Sequence, residues 1–197
     1  MKKLSIALTT VALLVLGISS TSAQVFSIGP RVGVNFASID GNADESDVNT
    51  LMVLGITSTY SISEHSGIGV DILYSGEGAE RAADGDLALN YIRVPVMFQY
   101  FFHELGDDFR PKIYLGLAPG LLVNAEAGET EVIDNYEKFD LAGTAGVGFH
   151  YQLSPRGVWL NADARYMHGF SNIVDTTPEL RNRHWQLSLG VAFGISE

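Results

Sequence analysis

The 197-residue sequence contains no cysteine, which rules out a disulfide framework, a thiolate metal site and a thiol nucleophile. It also rules out lipid attachment to a cysteine behind a leader. Bases are few, 12 Lys and Arg against 23 Asp and Glu, for a formal net charge of −11. Polyanion binding depends on clustered Lys and Arg that release counterions, so nucleic acid is not an expected partner. Beyond Gln24 no apolar run approaches the roughly 20 residues of a membrane-spanning helix. Hydropathy alone would assign the chain to water.

What is present begins with a targeting pattern. Lys2 and Lys3 precede an uncharged stretch from Leu4 to Ser22 that contains the apolar run Val11 to Leu16. The small residues Thr21 and Ala23 suit a signal peptidase cutting before Gln24. Residues 1–23 are therefore expected to be a cleaved signal peptide and 24–197 one domain of about 174 residues, with a net charge of −13 once Lys2 and Lys3 are lost.

Past Gln24 the apolar residues recur with a period of two, broken at intervals by Gly, Asn, Asp, Ser and Pro. In the last segment Trp185, Leu187, Leu189, Val191, Phe193 and Ile195 alternate with small or polar residues. Ile28, Pro30, Val32, Val34 and Phe36 do the same near the start. Further strands are predicted at 51–62, 67–76, 88–102, 112–124, 138–152 and 157–169. Eight strands result, joined alternately by shorter turns near 63–66, 103–111 and 153–156 and by longer loops near 37–50, 77–87, 125–137 and 170–183. This rhythm and count predict an all-β, eight-stranded antiparallel up-and-down transmembrane barrel.

Hydrocarbon tolerates no charged side chain, so the charged parity must point inward. Ile92, Val94, Val96, Phe98 and Tyr100 are then assigned to lipid, and Tyr91, Arg93, Pro95, Met97 and Gln99 to the lumen. Tyr60, Tyr74, Tyr100, Phe102, Tyr151, Tyr166 and Trp185 fall near strand ends, as an interfacial aromatic girdle requires. The opposite assignment, a soluble lipocalin-like carrier with the apolar parity inside, has the same alternation. Strand length and the aromatic ends speak for the membrane.

Several stretches carry a resemblance. The most specific are Ile68-Gly69-Val70-Asp71-Ile72-Leu73-Tyr74-Ser75-Gly76-Glu77-Gly78 and Leu89-Asn90-Tyr91-Ile92-Arg93-Val94-Pro95-Val96. Weaker matches run over 114–120, 139–143, 163–173 and 182–190. Over almost the whole mature chain the sequence resembles the PorT-type family of small bacterial outer-membrane β-barrels. The resemblance implies an outer-membrane location, lipid surroundings and handling by the barrel assembly machinery. It carries little function, because its name-giving member is linked to protein secretion and fold does not fix function. Barrels of this kind often end on an aromatic residue, whereas the last residues here are Phe193-Gly194-Ile195-Ser196-Glu197, so recognition by that machinery falls on Phe193 or is weaker.

Candidate chemistry follows from the inward parity. Asp71, Asp140 and Asp163 share it with Arg31, Arg93 and Arg165, a balanced set expected to form a buried structural ion-pair network in a lumen with little spare room. The alternative is a narrow pore whose paired charges open as a gate. The loops hold the acids Asp40, Asp44, Glu45 and Asp47, then Glu77, Glu80, Asp84 and Asp86, then Glu126, Glu129, Glu131 and Asp134. Asp40, Asp44, Glu45, Asp47, Glu126 and Glu129 are candidate contacts for a divalent cation, although no run has EF-hand spacing and a solvated acidic rim is the expected state. His168, Ser171 and Asp175 offer the residue types of an acyl-transfer triad on a lipid-modifying rim, with no nucleophile-elbow motif around them. His65, His103, His150 and His184 are scattered, with His150 and His184 able to share the lumen. Gly143, Gly146 and Gly148 lie inside a strand and are read as packing residues rather than a phosphate loop. The expected function is non-enzymatic, without cofactor or metal: an envelope scaffold, surface interaction module, or accessory to secretion or transport with a surface or secretion-system protein as partner.

Overall fold

The computed structural model describes residues 26–40, 47–80, 86–128, 130–174 and 180–195. The leader, together with Asp44, Glu45, Glu129 and Asp175, lies outside the described residues. The strands are β1 (Phe26–Asp40), β2 (Asn49–Ser61), β3 (Ser66–Ala79), β4 (Leu87–Arg93), β5 (Val96–Phe101), β6 (Phe109–Ala127), β7 (Thr130–Glu131), β8 (Phe139–Ser154), β9 (Val158–Gly169) and β10 (Arg181–Ile195), with one 3-10 turn at Ile133–Asn135. Every pairing is antiparallel. The sheet closes because β1 pairs with both β2 and β10, and β6 joins β8 to the β4 and β5 segments.

The ring has eight staves although ten strands are present. One stave is split into β4 and β5 at Val94–Pro95, within the single strand expected over 88–102. Pro95 has no N–H to donate, so the ladder is interrupted there. The ring stays closed across the gap, since Asp71 N donates to Pro95 O at 3.0 Å and Val94 N to Pro119 O at 2.9 Å. The tenth strand, β7, is a short hairpin partner of β6 outside the ring.

The alternation in sequence becomes an alternation of faces. Along β1, Ser27, Arg31 and Asn35 are buried while Val32, Val34 and Phe36 are exposed, and β5 exposes Val96, Phe98 and Tyr100 around buried Met97 and Gln99. About thirty exposed large apolar side chains wrap the barrel, a distribution that water would penalise at about 25 cal/mol per Å² and hydrocarbon would not. The interior is polar in the middle and apolar at one end. Leu87, Leu89, Leu122 and Ile173 form a buried cluster there, and Ile133, Tyr136 and Leu180 from the loops pack onto it. That end is the one carrying the longer loops, the extracellular end of an outer-membrane barrel.

The strands run further than the alternation alone indicated. β3 continues to Ala79 and β6 to Ala127, so Glu77, expected in an external loop, sits on a strand and faces inward.

Candidate functional site

The chemistry collects in the lumen as two ion-pair groups. In the group nearer the extracellular end, Arg93 on β4 holds Glu77 on β3 through Nε to Oε1 and Nη2 to Oε2, and Nη2 also donates to Asp140 on β8. Arg93 Nη1 donates to the Ala118 carbonyl at 3.0 Å, and its guanidinium lies 4.8 Å from the Tyr91 ring centre. Ser75 Oγ donates to Glu77 at 3.1 Å and is itself held by Asn35 Nδ2 at 2.9 Å. Asn182 Nδ2 reaches Tyr91 Oη at 3.1 Å. Gly120 makes this possible, because a Cβ there would meet Arg93 Nη1 at 2.9 Å.

The second group lies toward the periplasmic end. Arg31 Nη2 pairs with Asp163 Oδ2 at 2.7 Å, and Arg31 Nη1 lies 3.5 Å from Asp71 Oδ2. Arg165 Nη2 reaches the same Asp71 oxygen at 2.9 Å. Lys112 Nζ is 3.1 Å from Asp163 Oδ1 and donates to His150 Nε2 at 3.0 Å. A lysine ammonium has only donors, so His150 accepts through that nitrogen. Below this group Phe101 lies edge-on to His150 at 5.2 Å, and the Arg110 guanidinium covers the Phe101 ring at 4.0 Å. Buried side chains thus line the lumen from the Phe101 and Arg110 layer to the apolar cluster under the loops.

All six residues singled out for the lumen, Arg31, Asp71, Arg93, Asp140, Asp163 and Arg165, are buried there and charge-paired. Glu77 and Lys112 join them, and the set stays balanced at four cations and four carboxylates. Both could have been found by parity, since Glu77 continues Asp71, Leu73 and Ser75, and Lys112 precedes Tyr114 by two. Gly76 and Gly78 disguise Glu77 as loop. His150 and His184 do share the lumen, but in different layers, and His184 Nδ1 lies 3.7 Å from Glu77 Oε2.

The other candidates separate. Ser171 Oγ accepts the Leu141 N–H at 3.0 Å, while the His168 ring lies on the outer face between Tyr166 and Phe170. Among the described residues no hydrogen bond joins His168 to Ser171. Asp40 pairs with Arg183 at 3.6 Å, Asp47 bridges to Glu80 through the backbone, and Glu126 accepts from Asn124 at 2.8 Å, so these three carboxylates occupy separate places on the rim. At the opposite mouth Glu64, His65 and Glu104 each bring one ligand atom within 4.8 Å of the others. Both glutamates are exposed, and His65 Nδ1 is engaged by the Phe101 carbonyl at 3.0 Å. Gly143, Gly146 and Gly148 lie within β8, where Cβ atoms would meet Phe170, Tyr114 and Asp163 respectively.

The profile of the family described as "Outer membrane protein beta-barrel domain" matches residues 9–193. No curated protein matches the sequence. Among solved structures, Neisserial surface protein A is similar at 16% identity and a TM-score of 0.59, covering 85% of this chain and 96% of that one. The outer membrane protein OprG from Pseudomonas aeruginosa is similar at 15% identity and a TM-score of 0.60, covering 89% and 98%. The outer membrane enzyme PagL follows at 14% and 0.52, covering 83% and 97%. At such identities these likenesses concern the fold. The family and the shared fold place the protein in the outer membrane.

Proposed function

The chain belongs to the outer membrane protein beta-barrel domain family, and from that premise we propose that it is a closed, non-enzymatic barrel serving as envelope scaffold and surface interaction module. One observation carries the reading: the lumen is occupied along its length by paired charges and, at the extracellular end, by apolar side chains that the loops help to cover. A barrel so filled offers partners only its rim and its lipid face. The extracellular rim is strongly acidic, with Asp47, Glu80, Glu126, Glu131 and Asp134 on it, which suits a basic surface or secretion-system protein. The runs 68–78 and 89–96 support a PorT-type kinship and, with it, a secretion or transport accessory role. The leader 1–23 is cleaved, and the assembly machinery reads Phe193 near the end of β10.

Purified protein in planar bilayers tests the central claim, with an unbroken baseline expected and stepwise, salt-dependent conductance contradicting it in favour of a narrow pore. Incubation with outer-membrane lipid tests the second part. Lipid turnover that disappears in Ser171→Ala would make the protein an enzyme.

A further inference from the structure

The lipid-facing surface is not uniform. Across β8, β9 and β10 the outward residues fall in register, with Val147, Ala164 and Leu187 on one level and Phe149, Ala162 and Leu189 on the next. Two alanines therefore make a floor between walls of larger side chains. The resulting groove holds about 530 Å³ and its lining is almost wholly apolar. Followed toward the extracellular end, the next level sets Tyr166 against Trp185 with ring centres 5.1 Å apart. The level beyond that pairs His168 with Arg183. The His168 ring stacks on Tyr166 at 6.4 Å, and Arg183 leans on Ser38 Oγ at 3.0 Å and on Asp40 at 3.6 Å.

An apolar groove, an aromatic pair and then a guanidinium beside an imidazole is the order of parts in one leaflet: acyl chain, interface, headgroup. A guanidinium suits a phosphate through paired hydrogen bonds, and an imidazole N–H beside it can donate another. The contact to Asp40 is an exposed pair, of the kind that contributes little stability, so exchanging it for a phosphate costs little. We propose that this face binds one phosphorylated lipid of the outer leaflet, of the lipid A class, with an acyl chain in the groove floored by Ala162 and Ala164 and a phosphate on Arg183 and His168.

Trp185 at the groove's upper end supplies the readout. Trp159, the other tryptophan, points into the lumen and is 8% exposed, so it contributes a constant background. The protein is placed in phosphatidylcholine vesicles containing increasing fractions of either brominated phosphatidic acid, which carries a phosphate monoester, or brominated phosphatidylcholine. Quenching of Trp185 is expected at a several-fold lower fraction of the phosphatidic acid. Unbrominated diphosphoryl lipid A is expected to restore the fluorescence, and its dephosphorylated form to fail. Arg183→Gln with His168→Gln removes the preference. Ala164→Leu, which fills the groove, weakens quenching by both lipids. Each variant is first shown to be folded by its faster migration when unboiled. Equal quenching by the two brominated lipids, or a preference that survives loss of both the Arg183 and His168 side chains, overturns the proposal. Competition by phosphatidic acid but not by lipid A would overturn the assignment to the lipid A class.

Discussion

Arg93→Met tests the lumen most directly. Arg93 is the shared partner of Glu77 and Asp140, all three with side chains at most 1% exposed, and a methionine fills similar volume without charge. The substitution leaves two carboxylates buried together with His184 the nearest other basic group, 3.7 Å from Glu77. Removing one side of a buried ion pair costs about 3–5 kcal/mol, because the remaining charge is left without compensation. With a urea dependence of about 2 kcal/mol per M, the unfolding midpoint in lipid vesicles falls by about 2 M. The decisive comparison is the triple variant Arg93→Met, Glu77→Gln, Asp140→Asn. It removes the stranded charges, whose lack of compensation is the source of the cost, so most of the lost midpoint should return. The assay is the fraction of faster-migrating, unboiled protein against urea. A single variant within about 0.5 kcal/mol of the parent, the scatter expected of surface changes, would refute the reasoning. So would a triple variant no more stable than the single one.

Lys112→Met should cost less than Arg93→Met in the same titration, because Asp163 keeps Arg31 at 2.7 Å. Leu187→Arg, on the lipid face, is expected to cost about 2–4 kcal/mol in bilayers; an unchanged midpoint would argue that this face meets water. Gly120→Val should destabilise through the crowding of Arg93, and a smaller effect in the Arg93→Met background would show the coupling. N-terminal sequencing of protein from outer membranes should begin at Gln24. Retention of Lys2 and Lys3 would contradict the cleaved leader.

Most of the architecture was legible in the sequence because a barrel wall obeys a period of two, and lipid enforces it with charge. Arg93 between Ile92 and Val94, or Asp163 between Ala162 and Ala164, can face only the lumen. The split at Pro95 was visible in principle, since proline cannot donate to a ladder, but the surrounding alternation is unbroken and hides it. Strand ends above the membrane are harder to read. There lipid no longer distinguishes the faces, so Glu77 between two glycines resembles loop, and Ile39 and Leu87 become core only when the loops fold over them. The groove on β9 was equally hidden, because Ala162 and Ala164 look like ordinary lipid-facing positions until Leu187, Leu189, Val147 and Phe149 stand beside them.

The apolar cluster beneath the loops also constrains how the exposed surface can evolve. Ile133, Tyr136, Ile173 and Leu180 belong to the loop segments at the extracellular end, yet Ile173 is buried and the other three pack against the buried cluster. Sequence drift in these loops is therefore divided residue by residue. Exposed positions such as Glu131 and Asp134 are free to vary, while the apolar positions among them must keep their size. An antigen display scaffold made from this barrel would place its inserts by the same division.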